Sequence, residues 1–287
     1  MNWIVASAIM YCASIIYYLF VRKAAGEKIN YRFSNIANFS IPAVLYFSIN
    51  IAQHQNMLLP LNILFFIFLA ALFLSYLGSV ASYIAISIAP NAGYSLIIQK
   101  SYAVYTSIVA IFLFHSTITP LKFVAVLITL ASTAFISISP GKKVNKANYL
   151  WVLLSFVSFF CFGSLRLTNK FIFTLGVPST VLLFWTMMFV ALFSIADFFI
   201  NRKKVSTSIS KSSLLTLVGI GFSVTFFYYF LQTAEFMAPN IGYVNAINTS
   251  SNAAFTLLVA WLFKDKLTKA KMFAVVTATI GLILLII

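Results

Sequence analysis

Acidic residues are nearly missing from this chain. Four Asp and Glu stand against 19 Lys and Arg in 287 residues, and charges of both signs make up only 8%. A soluble fold of this length needs about a quarter of its residues charged to cover its surface. With 62% hydrophobic residues and a mean hydropathy of +1.01, the solvent outside this fold is expected to be lipid. Four scattered acids cannot supply the paired carboxylates or metal cluster of a lipid-processing enzyme, and neither His54 nor His115 has a catalytic partner nearby. There is no Gly-rich phosphate loop, so ATP is not expected to drive any activity. The two cysteines, Cys12 and Cys161, lie inside apolar runs without ligand spacing and read as small core residues. No cofactor or metal is expected. Long polar loops are also absent, which excludes a separate soluble domain. The net charge of +15 does not point to nucleic acid, because the cations sit in short gaps between apolar runs and not in a basic groove.

What the chain does contain is apolar runs. A bilayer core of ~30 Å needs ~20 helical residues per crossing. Ten runs meet that length: 3–21, 34–53, 62–89, 92–114, 119–139, 148–170, 179–200, 213–238, 241–263 and 268–287. No charge precedes the first run, and Arg22 and Lys23 follow it, which is the wrong order for a cleaved leader, so this helix is expected to stay. Between the runs lie Pro, Gly and Lys, as in Ala238-Pro239-Asn240-Ile241-Gly242 and Ser139-Pro140-Gly141-Lys142-Lys143. Fifteen of the 19 basic residues fall in or beside the gaps after the first, fifth, seventh and ninth runs. Cytoplasmic loops carry such an excess, so these gaps are expected inside and both termini outside. Trp3, Trp151 and Trp261 fall near run ends, where amphipathic rings anchor at headgroups.

The chain also repeats itself. A shift of 149 residues lays 89–134 over 238–283 with 13 identities in 46 ungapped positions, among them Ala89, Pro90, Asn91, Gly93, Tyr94, Ser101, Lys122 and Ala125. Composition alone would yield about four, so this is an internal repeat. Five runs per copy is an odd number, so the second copy must lie inverted in the membrane. The expected architecture is all-α: ten transmembrane helices as two inverted five-helix repeats, 1–140 and 147–287, forming one membrane domain. Inverted repeats suit alternating access, because two similar halves can exchange conformations around a central site.

The Ala-Pro-Asn-x-Gly-Tyr turns, and Leu262-Phe263-Lys264-Asp265-Lys266-Leu267-Thr268 followed by an apolar helix with Gly281, resemble the drug/metabolite transporter superfamily, in particular its EamA-like ten-helix members. The first half keeps Phe114-His115-Ser116-Thr117-Ile118-Thr119 at the equivalent junction, without the acid. The resemblance spans nearly the whole chain. It implies a central cavity lined largely by the third, fourth, eighth and ninth helices, and substrates such as amino acids, nucleotide sugars, organophosphates or lipid-linked sugars. Ten-helix members commonly keep both termini in the cytoplasm, whereas the charge distribution here places them outside.

Ionisable side chains inside apolar runs are costly and therefore candidates for function. Lys100 lies about ten residues into the fourth run, ~15 Å deep, and could meet a carboxylate or phosphate. Beside it, Ser95, Gln99, Tyr102 and Thr106 share a helical side. In the ninth run Asn245, Asn248, Thr249 and Asn252 recur at i, i+3, i+4 and i+7, and the repeat places Thr249 over Lys100. These two stripes are read as cavity lining in preference to interhelical glue. Tyr83 and Gln232 are further wall candidates. Glu235 has two readings, a titrating or coupling group paired with Lys100 and a side chain reaching the headgroups. Arg166 and Lys170 are expected to snorkel outward, and Asp197, beside Arg202 and Lys203, to be an interface charge.

The expected function is secondary transport of a small polar or zwitterionic metabolite such as an amino acid, by a multi-pass and monomeric protein of the cell (inner) membrane. The alternatives are translocation of an organophosphate, nucleotide sugar or lipid-linked sugar and, in a different class, a structural helper of another membrane protein. The orientation is directly testable. A reporter active only in the cytoplasm, fused after Ile287, is expected to stay silent; a strong signal would reverse the topology.

Overall fold

The computed structural model describes residues 2–89, 95, 98–137, 149–202, 210–262 and 269–286. Within them the chain folds as helices joined by short connections. They are α1 (Trp3–Gly26), α2 (Tyr31–Ala52), α3 (Leu61–Leu69, a π-helical segment Ala70–Tyr76, then Leu77–Ile88), α4 (Tyr102–Phe114), α5 (Pro120–Ser137), α6 (Leu150–Thr174), α7 (Ser179–Ile200), α8 (Lys211–Met237), α9 (Ile241–Leu262) and α10 (Lys269–Ile286). Six of them, α1, α2, α3, α6, α7 and α8, are long and apolar enough to cross a membrane. The protein is thus a membrane-embedded α-helical protein. The junction 263–268, most of the turn at 90–94 and the segments 138–148 and 203–209 lie outside the described residues.

Side chains sort by size and not by polarity. Large apolar groups such as Phe65, Phe112, Phe199 and Phe226 face outward, where lipid is as apolar as they are. Small residues face the neighbouring helices: Ala6, Ser7, Met10, Ala13 and Ser14 form the buried stripe of α1. Packing between membrane helices depends on such close approach, since lipid removes the hydrophobic drive for helices to associate. α1 packs on α8 and α3 on α6; α1 also meets α9, and α4 meets α6; α2 pairs with α7, α4 with α9 and α5 with α10. One apolar cluster, around Met10, Phe227, Leu231 and Val244, binds α1, α5, α8, α9 and α10. A second, around Tyr46, Ala71, Phe184 and Val190, binds α2, α3 and α7.

Contacts at the helix ends define two faces. On one, Glu27 accepts from Ser212 at 2.7 Å, Arg32 pairs with Asp197 at 2.7 Å, Tyr31 stacks on Tyr83, and Ser95 meets Ser155 at 2.7 Å. This joins the end of α1 and start of α2 to the ends of α3 and α7 and the starts of α6 and α8. It is the face that gathers the basic gaps. On the other face Asn50 donates to the Thr180 carbonyl at 3.1 Å, Trp185 to Met57 at 3.0 Å and Tyr243 to Thr117 at 3.2 Å, while Trp3 lies against Tyr243. Asp197, expected as an interface charge, thus lies at this face and finds its partner on the neighbouring helix α2.

Two local features follow from the demand that every backbone group in lipid be satisfied. The π-helical segment of α3 disturbs the i→i+4 ladder, and α6 answers with side chains: Ser158 donates to the Gly78 carbonyl at 3.1 Å and Cys161 to that of Phe73 at 3.5 Å. Cys161 is thus a weak donor to a loosened helix and more than a filler. In the Pro-Asn-x-Gly turn, Asn240 caps α9 by accepting from Gly242 N–H at 2.8 Å and donates to the Ser107 carbonyl at 3.1 Å. Gly242 lets α9 approach so closely that any Cβ there would collide with the Ser107 side chain.

That contact yields a test. Gly242→Val should destabilise the protein by about 1–3 kcal/mol through overpacking, read as a lowered unfolding temperature in detergent. Gly26→Ala, where a Cβ meets nothing within 4 Å, should leave it unchanged. Equal effects from both would show that close approach at Gly242 is unimportant.

Candidate functional site

The polar groups predicted from the sequence converge only in part. α4 and α9 cross with their polar stripes facing each other: Asn245 donates to Thr106 at 3.1 Å and Asn248 to the Tyr102 hydroxyl at 3.4 Å, all four side chains being buried. Lys100 sits where the fourth apolar run loses its regular form. Residues 98–100 are helical, Ser101 turns with ψ near −5°, and the Val104 N–H bonds to the Ser101 carbonyl at 3.0 Å. The Lys100 ammonium donates to the Tyr18 hydroxyl on α1 at 3.3 Å.

Arg166 of α6 joins this group, contrary to the expectation that it snorkels. Its side chain is 11% exposed, and its guanidinium lies 3.7 Å from the Glu235 carboxylate on α8. It also lies over the Tyr228 ring, 5.7 Å from the centroid, and against Tyr102. Depth explains the difference. The sequence placed the end of the sixth span at residue 170, four residues past Arg166, whereas α6 continues to Thr174. Eight residues of helix put Arg166 ~12 Å from that end, beyond easy reach of the headgroups. The i, i+4 spacing of Arg166 and Lys170 was visible, but not its depth.

Glu235 therefore pairs with Arg166 and not with Lys100. Lys170 does not snorkel either. It is 9% exposed, and its ammonium points at the Ala238 carbonyl at 3.4 Å, where the C-terminus of α8 presents unpaired carbonyls to a cation. Tyr18 and Arg166 are the members that sequence reasoning did not place at the site.

Other predicted residues fall elsewhere or are already engaged. Gln99 accepts from Ser82 at 2.6 Å and donates to Ser95 at 2.8 Å, which in turn meets Ser155. It ties α3 and α6 to the start of the fourth run, with both its amide oxygen and its amide nitrogen bonded to protein, so for this residue glue is the better description. Thr249 bonds back to the Asn245 carbonyl at 2.8 Å within α9. Tyr83 stacks on Tyr31 at 4.2 Å and is 47% exposed at the basic face, away from the buried group. The Asn252 side chain lies outside the described residues.

Two properties distinguish the centre. The first is charge: Arg166 faces the carboxylate of Glu235, with Lys170 one turn beyond and Lys100 on the other side of Arg166, an excess of positive charge among the described residues there. The second is unmet hydrogen bonding. Both Glu235 oxygens, both polar atoms of Gln232, the side-chain carbonyls of Asn245 and Asn248, and the Arg166 Nε are buried with no hydrogen-bond partner. At 3.7 Å the Arg166–Glu235 pair is an electrostatic contact too long for a hydrogen bond. Buried polar atoms are nearly always bonded, so a cluster of exceptions marks a place built for another occupant, water or ligand.

A cavity of about 390 Å³ approaches this centre from the basic face. Lys28, Tyr31 and Tyr83 stand at its mouth, Ser34, Asn35 and Asn38 along one wall, and Tyr17 and Ile220 deeper inside. Tyr17 stacks on Phe227 and abuts Tyr18, the partner of Lys100.

No family model matches the chain, and no curated protein does. Among solved structures, one described only as "Crystal structure of protein" superposes with a TM-score of 0.81 over 99% of this chain and 98% of its own, at 13% identity. At that identity the likeness is one of fold alone, and it extends over the full length of both chains.

Proposed function

We propose that this protein is a secondary transporter with ten membrane spans in two inverted repeats, moving a small polar or zwitterionic metabolite through a site centred on Lys100, Arg166 and the α4–α9 amides. The observation that carries this reading is the cluster of cations and unbonded acceptors within the helical body, near a cavity that opens on the basic face and reaches in to Tyr17, the neighbour of Tyr18.

The packing pattern supports the inverted repeat. Under the 149-residue shift α1 corresponds to α6, α2 to α7, α3 to α8, α4 to α9 and α5 to α10. The α1–α8 contact then maps onto α6–α3, and α1–α9 onto α6–α4, while α2–α7, α4–α9 and α5–α10 map onto themselves. A pseudo-twofold relation between halves has this consequence. Equivalent positions nevertheless differ in exposure. Tyr83, near the basic face, is 47% exposed, and its equivalent Gln232, near the opposite face, is 1% exposed; Val21 is 37% exposed, and its equivalent Lys170 is 9%. Similar halves held open at one end and closed at the other describe one state of an alternating-access cycle. With the positive-inside rule, that state faces the cytoplasm.

This reading places the protein with the drug/metabolite transporters that its turn motifs resemble. The cationic centre favours substrates with a carboxylate or phosphate over cations, by Coulomb repulsion at low dielectric. Organophosphates remain the second reading on the same ground. A structural helper would have no need for a cationic centre reached by a cavity.

The test runs in two steps. Cells overproducing the protein are screened for resistance to amino acids, their analogues and sugar phosphates, and solutes so identified are followed in proteoliposomes. Lys100→Ala is expected to lower uptake by about ten- to a hundredfold, the worth of a hydrogen bond to a charged group, with expression and unfolding temperature near wild type. Lys100→Arg should retain part of the activity, since charge persists while donor geometry changes. Normal uptake by Lys100→Ala would remove this residue from the site, and no transported solute in either assay would overturn the carrier reading.

A further inference from the structure

Glu235 has a chemical role that the carrier reading does not by itself require. It is one of two glutamates in the chain, fully buried on α8, with both oxygens lacking a hydrogen bond and the Arg166 guanidinium 3.7 Å away. The charged and titratable groups around it can be named helix by helix. α6 brings Arg166 and Lys170, and α4 brings Lys100 and Tyr102, both close to Arg166. α8 itself supplies Tyr228, in contact with Arg166, while α1 contributes Tyr17 and Tyr18. α2 offers Tyr46, whose hydroxyl is committed to the Thr225 carbonyl at 2.6 Å. On α9 the facing groups are the amides Asn245 and Asn248. Lys170 is engaged with the Ala238 carbonyl, so Arg166 is the cation paired with the Glu235 carboxylate.

An anion that reaches the centre would meet the same guanidinium. Arg166 offers a planar fork suited to a carboxylate or phosphate, and the loose contact with Glu235 leaves its Nε without a hydrogen bond. Bidentate docking of an anion there would draw Arg166 away from Glu235. A carboxylate left unpaired in a buried site is far less stable than its protonated form. Resting on the carrier reading, we propose that the anionic group of the substrate competes with Glu235 for Arg166, and that Glu235 takes up a proton as it is displaced, so that each anion is carried together with one H⁺. The proton comes from water on the side where the substrate enters. It leaves to water on the other side when the substrate departs and Arg166 returns to Glu235. No bond other than the carboxyl O–H forms or breaks.

The small number of glutamates makes this observable. Full-length protein labelled with carboxyl-¹³C glutamate, and carrying Glu27→Gln, reports Glu235 alone in infrared difference spectra. Inorganic phosphate, acetate and L-alanine are added separately at neutral pH. At least one is expected to raise the C=O band of a protonated, labelled carboxyl, and Arg166→Gln should show that band without any addition. Arg166→Lys, which keeps the charge but loses the fork, should show no band without an addition and a weaker band than the parent with the same probe. It covers the case in which Arg166→Gln does not fold; a band equal to the parent's would overturn the bidentate competition. No band with any of the three probes, or an ionised Glu235 in folded Arg166→Gln, overturns the proposal. In proteoliposomes an imposed pH gradient should accelerate uptake by the wild type and leave Glu235→Gln unaffected. Wild-type uptake that ignores the gradient overturns the coupling while the carrier reading stands. Failure to transport any solute overturns both.

Discussion

A charge placed in hydrocarbon must be answered by an opposite charge, by hydrogen bonds or by water, and most of what is particular about this protein follows from that demand. Arg166, Lys100, Lys170 and Glu235 all lie well inside the helical body, and each is held by groups on a different helix: Arg166 by Glu235 of α8, Lys100 by Tyr18 of α1, Lys170 by the end of α8. These contacts tie α4 and α6 of one arm of the bundle to α1 and α8 of another. They also fix the rotation of α6, because the Arg166–Glu235 and Lys170–Ala238 contacts lie one turn apart on the same side of that helix. The same demand acts on neutral groups. Ser158, Cys161, Tyr46, Asn50, Trp185 and Asn240 all donate to backbone carbonyls of neighbouring helices or connections. Unbonded buried atoms occur singly elsewhere, at Ser7, Asn50 and Ser194 for example, whereas α8 and α9 carry them on four residues, Gln232, Glu235, Asn245 and Asn248.

Helix positions were the most legible part of the chain. Each apolar run contains a helix, usually within a few residues of the predicted ends, because run length and hydropathy respond directly to membrane thickness. The errors at the ends were small but not harmless. Four extra residues at the end of α6 converted Arg166 from a snorkelling side chain into a buried one. The stripes on α4 and α9 were visible from helical spacing, and two of their pairings, Asn245 with Thr106 and Asn248 with Tyr102, are present. Spacing alone could not tell lining from glue. Gln99 has the same period as Tyr102, yet its oxygen and nitrogen are held by Ser82 and Ser95. Tyr83 could not be placed either, since one tyrosine among 14 carries no signal of which face its helix presents.

The π-helical segment of α3 was invisible to periodicity for a plain reason. The residues Ala70–Tyr76 are ordinary apolar helix formers, and the departure depends on what α6 offers in return. Gly78 lies so near Cys161 that a Cβ there would sit 2.8 Å from the Cys161 Cβ, so the backbones can approach and the donors can reach. The repeat-equivalent stretch of α8, at 219–225, is ordinary α-helix. The two halves therefore differ in backbone as well as in side chains at this level of the bundle.

That difference extends to the charges, and it bears on how such a scaffold could work as a carrier. Under the repeat, Lys100 corresponds to Thr249, Arg166 to Tyr17, Lys170 to Val21 and Glu235 to Ile86. None of the buried ions has an ionic counterpart. A symmetric arrangement of helices offers two conformations of similar energy, because opening one end and closing the other only exchanges the roles of the halves. Four unmatched ions cannot be neutral to that exchange. Closing the end near Gln232 brings Lys170 to the Ala238 carbonyl and Glu235 to Arg166, whereas the equivalent positions at the basic end hold Val21 and Ile86, which form no such contacts when that end closes. In the carrier reading the empty protein therefore rests with the basic face open, held there by ion contacts confined to the opposite end. A bound anion at Arg166 weakens one of those contacts and so shifts the balance towards the other state, since a ligand can move such an equilibrium only through interactions that differ between the two conformations.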